Sequence, residues 1–418
     1  MTTEIYMDTA RLGRMCRGAR LAEQDFGRLV GRLGSSLYLE RFLSYGYRAL
    51  PTRFSRRVPH LKAWAGMRGF RIALGQFVQQ PPELPTYFFS QSSALIRFAA
   101  ECLFANSRRI LITDLAWPPY VQLLRRVAKK RNARLIEIQL RNLVRNDLAT
   151  KPDVLEFIVR ELQRNACDGV FLSDITYEGT RLPVEDVLAR LEGLKSRPFT
   201  VIDGAQAFSQ RPLSLKNMKC DLYLAGSQKW FGAYYPLRMA FVASEANLHA
   251  MEPTASALSK HSDTDPFLRF TRSLEEADFT SFGETVNLSA LFAAAGALRQ
   301  AERVAATLHD PWLVLRTNAR SFARSIEGHG WFLRKHVSLG SGIVLLTPSR
   351  KFGYRSSGSL KQQLSLKGVI ASAFPDGSLR LSMPRFYPSL SLREKVLCAL
   401  SNAATFRVSK SCEVIHAN

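Results

Sequence analysis

The stretch Asp221-Leu-Tyr-Leu-Ala-Gly-Ser-Gln-Lys-Trp230 places one lysine, Lys229, directly after an apolar run that is typical of a buried strand. A solvated ammonium is not normally found at the end of such a strand, and a partly desolvated lysine can lose its proton near neutral pH. The neutral amine is a nucleophile toward a carbonyl carbon. Lys229 is therefore the first candidate catalytic residue of the chain.

A second group of polar residues follows an apolar run slightly earlier, in Val201-Ile-Asp-Gly-Ala-Gln206. Asp203 ends this run, and Gln206 lies three residues later. Parallel strands end at the same edge of a sheet, which is where the ligands of such sheets bind. We therefore expect an acid, an amide and a lysine to converge at this edge.

The hydrophobic pattern predicts an α/β fold. Short apolar runs alternate with helical patterns from about residue 85 to residue 242, which is typical of a mostly parallel sheet of the seven-stranded type, sandwiched by helices. Beyond residue 287 the pattern is mostly helical to about 326, and short strands at 337–347, 368–373 and 379–383 indicate a smaller α+β domain. We predict an N-terminal helical segment (1–80) that packs with the small domain, a large ligand-binding domain (81–300) and a small C-terminal domain (301–418).

Composition limits the class of protein. The 418 residues are 46% hydrophobic and 22% charged, which is ordinary for a globular protein. No apolar run reaches the roughly 18 to 20 residues that a membrane-spanning helix needs, and the first 34 residues lack the apolar core of a secretory signal. We therefore expect a cytoplasmic protein without a membrane segment. The six cysteines stand singly, without a CxxC pair, which predicts neither a disulfide framework nor a metal site.

The net charge of +23 is compatible with nucleic acid or another acidic surface as a partner. The densest basic stretch, 125–134, has the spacing of a solvated helix face, however. No zinc finger, RNA-recognition signature or separate helix-turn-helix accompanies it. We therefore do not expect nucleic acid as a partner, and a non-catalytic nucleic-acid-associated protein stays open only as an alternative.

Taken together, these motifs resemble the fold type I pyridoxal phosphate enzymes of the class V aminotransferase family. The resemblance covers nearly the whole chain, and it is carried by the serine-rich turn 89–93, Trp117, Asp-Gly-Ala-Gln at 203–206, Gly-Ser-Gln-Lys at 226–229 and Leu-Arg-Leu-Ser at 379–382. It implies that Lys229 holds the cofactor as an aldimine and moves the substrate's α-proton. Asp203 would pair with the pyridine nitrogen, and Gln206 would bind the phenolic oxygen.

The resemblance also implies how the rest of the cofactor and the substrate are held. Trp117 would stack on the pyridine ring, and Thr176 would reach the ring face or its phenolic oxygen. Arg380 would bind the substrate α-carboxylate, and Arg11 and Arg14 could reach the site from the N-terminal segment. The phosphate would be bound at a helix start and by the residues before the lysine: Gln91, Ser92, Ser93, Ser227, Gln228 and Thr285 of a neighbouring subunit. The last assignment requires a homodimer with the site at its interface.

Two features separate the chain from parts of that family. Many relatives have histidine immediately before the lysine, whereas this chain has Gln228, as in the alanine-glyoxylate and serine-pyruvate branch. The late cysteines, Cys398 and Cys412, lie in a terminal helix pattern and in the tail, which disfavours persulfide chemistry. The resemblance therefore implies an aminotransferase that acts on an amino acid and a 2-oxo acid. A lyase or an epimerase with the same cofactor is the alternative.

Overall fold

The structure is a computed structural model. It describes residues 4–38, 41–146, 149–260, 265–276, 285–307, 310–326, 329–333, 340–349 and 356–405. Its strands are β1 (Ile5–Tyr6), β2 (Thr86–Phe89), β3 (Arg109–Thr113), β4 (Arg134–Ile138), β5 (Gly169–Ser173), β6 (Phe199–Asp203), β7 (Leu222–Gly226), β8 (Arg238–Val242), β9 (Trp331–Leu333), β10 (Ile343–Pro348), β11 (Val369–Ile370), β12 (Ser372–Ala373) and β13 (Leu379–Ser382).

Helices alternate with the strands through the middle of the chain. They are α1 (Arg17–Leu33), α2 (Arg41–Tyr45), α3 (Thr52–Ser55), α4 (Gly66–Phe77), α5 (Ser92–Asn106), α6 (Pro118–Lys130), α7 (Arg141–Val144), α8 (Lys151–Arg164), α9 (Val184–Glu192), α10 (Leu215–Met218), α11 (Leu248–Lys260), α12 (Pro266–Glu276), α13 (Ser289–Thr307), α14 (Pro311–Ser325), α15 (Ser357–Leu366) and α16 (Leu390–Thr405). Among these helices, none has the length and hydrophobicity that crossing a membrane requires.

A seven-stranded sheet forms the centre of the molecule, in the order β2-β8-β7-β6-β5-β3-β4. Strands β4, β3, β5, β6 and β7 are paired in parallel, while β8 runs antiparallel to both of its neighbours. Every residue of β5, β6 and β7 is buried, as expected for strands that helices cover on both faces. The predicted α/β fold with a mostly parallel sheet is therefore confirmed.

The C-terminal part forms a second core around an antiparallel four-stranded sheet, in the order β12-β13-β10-β9. Apolar residues of α14, α15 and α16 pack with β10 and β13 in one cluster. The described strand β10 begins at Ile343, and residues 337–339 of the predicted strand lie outside the described residues. Strand β13 lies where the sequence predicted a strand.

The N-terminal segment is divided between the two cores. Strand β1 pairs in parallel with β11, and Ile5, Met7 and Ala10 belong to the C-terminal apolar cluster. Helix α1 instead packs along α13, and buried residues between Phe26 and Val78 join the core of the large sheet. The strand part of this segment therefore packs with the C-terminal core, and the helical part buries its apolar faces against the large core.

Candidate active site

A cleft of about 390 Å³ opens at the carboxyl ends of β5, β6 and β7. The start of α5 and of α6 form one side of it, and Phe374 and Arg380 of the C-terminal sheet face them. Ala10 and Arg11 of the N-terminal segment complete its wall. The crossover topology thus brings residues that are up to 370 positions apart in sequence to one cleft.

Lys229 follows β7 in a tight turn, and part of its side chain faces the cleft while protein surrounds the rest. Burial lowers the pKa of Lys229 from 10.5 to about 7, because the ammonium loses its hydration. The charge of Asp203 opposes this shift, and the charges of Arg380 and Arg238 add to it. A substantial fraction of the lysine is therefore a neutral amine near neutral pH.

Asp203 is the last residue of β6, and its side chain is buried at the floor of the cleft. Its Oδ1 accepts a hydrogen bond of 3.0 Å from the Ala205 amide. Burial raises the pKa of Asp203, while the backbone hydrogen bond and the positive charge of Lys229 act in the opposite direction. The nearby carboxylate of Asp174 is already paired with Arg211, at 2.6 Å, so Asp203 is the acid that faces the cleft.

Gln206 links three parts of the chain around the cleft. Its Nε2 donates to the Ala10 carbonyl oxygen at 2.8 Å, and its Oε1 accepts from the Trp230 indole at 3.0 Å. An amide nitrogen carries two hydrogens, so one N–H of Gln206 is still available to a ligand. The side chain lines the cleft, and it also holds the N-terminal segment against the lysine turn.

The predicted phosphate-binding residues differ in position. Ser92 is the first residue of α5 and lines the cleft. Gln91 and Ser93 are exposed and do not line it. The carboxylate of Asp265 accepts hydrogen bonds from the backbone amides of Ser90 at 2.7 Å and of Gln91 at 3.1 Å. This acid occupies amide groups that the sequence analysis had left to a phosphate.

Of the two residues directly before the lysine, Gln228 lines the cleft and Ser227 does not. Ser227 is fully buried, and its hydroxyl donates to the Tyr235 carbonyl oxygen at 2.8 Å and accepts from the Leu237 amide at 2.9 Å. Both contacts stabilise the lysine turn, and Ser227 does not line the cleft. Gln228 does line it, is only 8% exposed, and its Oε1 has no hydrogen-bond partner among the described residues.

Three further predicted residues have different surroundings. Trp117 lines the cleft and packs edge-on against Tyr177, with ring centroids 5.0 Å apart. Thr176 is fully buried, and its hydroxyl accepts from the Thr180 amide at 3.1 Å inside a turn, so the structure does not bring it to the cleft. Thr285 is exposed next to the undescribed residues 277–284 and does not line the cleft of its own chain.

Arg380 lies on β13 and points its guanidinium into the cleft. Its contacts are long: Nη2 is 3.3 Å from Ser372 Oγ and 3.9 Å from Asp8 Oδ1, and Nη1 is 3.4 Å from the Tyr177 carbonyl oxygen. Its Nε is buried without a partner among the described residues. Burial lowers the pKa of Arg380, and Asp8 opposes this effect. These long contacts leave the guanidinium of Arg380 able to form shorter hydrogen bonds with a bound carboxylate.

The two N-terminal arginines, Arg11 and Arg14, line different cavities. Arg11 lines the mouth of the cleft, 4.0 Å from Asp8. Arg14 is paired with Glu4 at 2.8 Å and lines a separate, larger cavity. Within the described residues, no group of three or more His, Cys, Asp or Glu side chains is placed to hold a metal ion.

Three residues at or beside the cleft, Asp8, Tyr120 and Arg238, were not predicted from the sequence. Tyr120 and Arg238 line it, and Asp8 contacts Arg380 and Ser372 behind its wall. A signal for Arg238 was available, because this arginine stands directly before the apolar run 239–243 and so, like Lys229 after its own run, places a charge at the end of an apolar segment. The other two residues become visible only once the chain is folded.

Comparisons with known proteins agree with this fold. Residues 39–234 match the model of the aminotransferase class-V family. No curated protein matches the chain in sequence. Among solved structures, ureidoglycine-glyoxylate aminotransferase from Bacillus subtilis is 14% identical, with a TM-score of 0.66 over 96% of this chain and 93% of its own.

Two other solved structures are similar to the same extent. A cysteine desulfurase from Escherichia coli is 13% identical, with a TM-score of 0.68 over 96% of this chain and 94% of its own. The cystine C-S lyase C-DES is 13% identical, with a TM-score of 0.69 over 96% of this chain and 97% of its own, and carries glycine covalently linked to its pyridoxal phosphate cofactor. At such identities the likeness establishes the fold, and the reaction has to be argued from the site.

Proposed function

Given that residues 39–234 match the aminotransferase class-V family, we propose that the protein is a pyridoxal phosphate-dependent aminotransferase. It moves the amino group of an amino acid to a 2-oxo acid. The observation that carries this proposal is a lysine with a pKa of about 7, Lys229, in one cleft with the buried acid Asp203 and the arginine Arg380.

The residues of the cleft fit this cofactor. Three buried polar atoms of cleft residues, Gln228 Oε1, Arg238 Nε and Arg380 Nε, have no partner among the described residues. Buried polar groups are nearly always paired, so unpaired ones at a cleft are expected where a polar ligand binds. The volume of about 390 Å³ is also within the range of small-molecule sites.

When bound, pyridoxal phosphate supplies an aldehyde carbon that reacts with amines and a ring that withdraws electrons from the substrate. Lys229 would hold this aldehyde through its neutral Nζ and, once freed by the substrate amine, would accept the α-proton at the same atom. Asp203 would favour the protonated ring nitrogen, because a buried carboxylate stabilises an adjacent cation. Arg380 binds the α-carboxylate with its planar fork.

A lyase with the same cofactor is the second candidate, because a C-S lyase shares the fold and the same residues labilise the α-proton in either reaction. The cysteines disfavour the persulfide route of a desulfurase. None of the described cysteines lines the cleft: Cys102, Cys167 and Cys220 are buried, Cys398 is exposed on α16, and Cys16 lines the separate cavity. An epimerase stays a further alternative.

The cofactor assignment is tested by absorbance. Wild-type protein mixed with pyridoxal phosphate should acquire the visible band of a lysine-linked cofactor, and Lys229→Ala should not. The matched control is Lys216→Ala, which removes an exposed lysine from α10 and should leave the band unchanged. A band that persists in Lys229→Ala would exclude this lysine as the point of attachment.

The reaction type is tested in a half-reaction without a 2-oxo acid. Loaded protein is mixed with single amino acids, and the products are separated by chromatography. An aminotransferase converts the cofactor to pyridoxamine phosphate and releases one 2-oxo acid per site. Release of sulfide or persulfide from cystine, or racemised amino acid, with the cofactor still an aldehyde, would instead identify a lyase or an epimerase.

We also propose a cytoplasmic homodimer in which Thr285 reaches the phosphate of the neighbouring subunit. The support is its exposure at the chain surface, away from the cleft of its own chain. Sedimentation velocity should show a dimer. Thr285→Val should weaken binding of pyridoxal phosphate without changing the sedimentation coefficient, and a monomeric protein with full cofactor affinity would contradict the proposal.

A further inference from the structure

Arg238 lies between two features of the cleft, the lysine turn and the start of α5. It begins β8, and it is paired with Gly226 at the end of β7 on one side and with Phe89 at the end of β2 on the other. Strand β7 leads into the lysine turn, and β2 leads into the start of α5. The side chain of Arg238 lines the cleft between these two features.

The charge of Arg238 has no counterion in the protein as described. None of the described carboxylates forms an ion pair with it, and its Nε is buried without a hydrogen-bond partner. Burial lowers the pKa of Arg238, and the only group that opposes this shift is the neighbouring phenol of Tyr120. Burying an unpaired guanidinium is costly, so such a group is expected where an anionic ligand binds.

The side chain of Gln228 ends close to that of Arg238, in front of Gly226. If Gly226 carried a Cβ, that atom would lie 2.7 Å from Gln228 Oε1 and 2.8 Å from Arg238 Nη1. Both side-chain ends therefore lie in front of Gly226, in space that only a glycine leaves open. Gln228 is nine-tenths buried and its amide oxygen is unpaired. Because oxygen and nitrogen of an amide are interchangeable by a flip, the group can also present N–H donors to a ligand.

The third component is the start of α5. The first amides of a helix have no acceptor within it and favour an anion. Ser92 begins this fifteen-residue helix, and both Ser92 and Tyr120 line the cleft. Asp265 already brings a negative charge to the amides of Ser90 and Gln91. A phosphate at this position therefore needs a cation in addition to the helix.

We propose that Arg238 binds the phosphate of pyridoxal phosphate, together with the Gln228 amide and the hydroxyl groups of Ser92 and Tyr120. This inference rests on the proposed function. A guanidinium can donate two parallel N–H groups to a phosphate. These charge-assisted hydrogen bonds are stronger than those from a neutral donor. The phosphate charge is then balanced by a residue of the same chain, and the threonine of a second subunit is an addition rather than a requirement.

The test compares pyridoxal phosphate with pyridoxal, which lacks the phosphate. Dissociation constants of both are measured by absorbance for wild type, Arg238→Met and Arg238→Lys. Arg238→Met should weaken binding of pyridoxal phosphate by roughly 10- to 100-fold and leave pyridoxal nearly unchanged, since only a charge-assisted hydrogen bond is lost. Arg238→Lys keeps the charge without the fork and should lie between the two.

The matched control is Arg134→Met, which removes an exposed arginine from the start of β4 and should affect neither ligand. Thermal unfolding of each variant checks that it folds. An equal loss of affinity for pyridoxal phosphate and pyridoxal would make Arg238 a structural residue. A weaker affinity for the amino acid, with unchanged affinity for the cofactor, would make it a substrate residue. Either result overturns the proposal. Should wild type capture neither aldehyde, the proposed function fails, and calorimetry with inorganic phosphate on wild type and Arg238→Met still decides the role of Arg238.

Discussion

In the proposed reaction Lys229 has to be neutral in order to attack a carbonyl, yet a lysine in water ordinarily keeps its proton up to pH 10.5. Burial resolves the conflict by lowering the pKa to about 7. The same burial has a cost in the protein without cofactor, since the folded chain must release a proton that the unfolded chain retains. Reactivity and stability are therefore opposed at this residue.

Replacement of this lysine by methionine should stabilise the protein without cofactor. Between pH 7 and pH 10.5 the unfolded wild type binds more protons than the folded one, so the stability of wild type rises with pH over this range. The melting temperature of Lys229→Met should exceed that of wild type most at pH 7 and below, and the difference should vanish near pH 10.5. Calorimetry across this range checks it, and a difference independent of pH would contradict the lowered pKa.

Substitution of Arg380 should act on the substrate and spare the cofactor. Its polar contacts of 3.3 and 3.4 Å leave it free to turn toward a carboxylate. Losing a charge-assisted pair costs about 1.5 to 3 kcal/mol, so Arg380→Ala should raise KM for the amino acid by roughly 10- to 100-fold. The dissociation constant of pyridoxal phosphate should stay within about twofold. An unchanged KM would remove Arg380 from the substrate site.

The sequence located those candidate site residues whose chemistry conflicts with their surroundings. Lys229 follows an apolar strand, Asp203 ends one and Arg380 lies within one, and all three line the cleft. Serine and threonine residues show no such conflict, because their hydroxyl groups can form hydrogen bonds with the backbone as readily as with a ligand. Thr176 and Ser227 do so, and neither reaches the cleft. The direction of a side chain within a turn depends on its hydrogen-bond partners, which spacing in the sequence does not specify.

Among the helices, the contact of α1 with α13 depends on glycine. A Cβ on Gly18 would lie 2.3 Å from the Gly296 carbonyl oxygen, and a Cβ on Gly296 would lie 2.4 Å from that of Gly18. The backbones thus approach as closely as small residues permit, and the contact joins the N-terminal segment to the large core. Helix α1 also contains Gly27 and Gly31, which face solvent with nothing near them.

These glycines give a prediction with an internal control. Gly27→Ala should stabilise the protein by about 0.5 to 1 kcal/mol, because alanine is the better helix former and meets no neighbour. Gly18→Ala in the same helix should destabilise it by roughly 1 to 3 kcal/mol, because the added methyl group overlaps the backbone of α13. Chemical denaturation measures both. Equal effects of the two substitutions would contradict the close packing of α1 on α13.

Element type followed from local pattern more readily than element position. The alternation of apolar runs and helices predicted the large sheet, since buried parallel strands read as continuous apolar runs. The partner of the N-terminal helices did not follow, because an apolar helix face has the same pattern whichever core it covers. Strand β1, only two residues long, was not predicted at all, since its pairing with β11 depends on a residue distant in sequence.

At the scale of the whole molecule, residues 5–13 connect the C-terminal sheet to the lysine turn. The Met7 carbonyl oxygen accepts from the Ser382 amide at 2.7 Å, close to Arg380 on the same strand. The Ala10 carbonyl oxygen is bound by Gln206, and the Gly13 amide donates to the Gln228 carbonyl oxygen at 2.7 Å. One segment therefore fixes Arg380, Gln206 and the lysine turn relative to one another.

This connection predicts that a change outside the cleft impairs the cofactor site. A Cβ on Gly13 would lie 1.9 Å from the Lys229 carbonyl oxygen, so Gly13→Ala must displace either the segment or the lysine turn. A displacement of about 1 Å in a reacting group costs on the order of 100-fold in rate. At a fixed concentration, a ligand that binds more tightly raises the melting temperature further. Pyridoxal phosphate should therefore raise the melting temperature of Gly13→Ala much less than that of wild type or of the exposed control Gly31→Ala. An equal rise in all three would show that the segment and the lysine turn are independent.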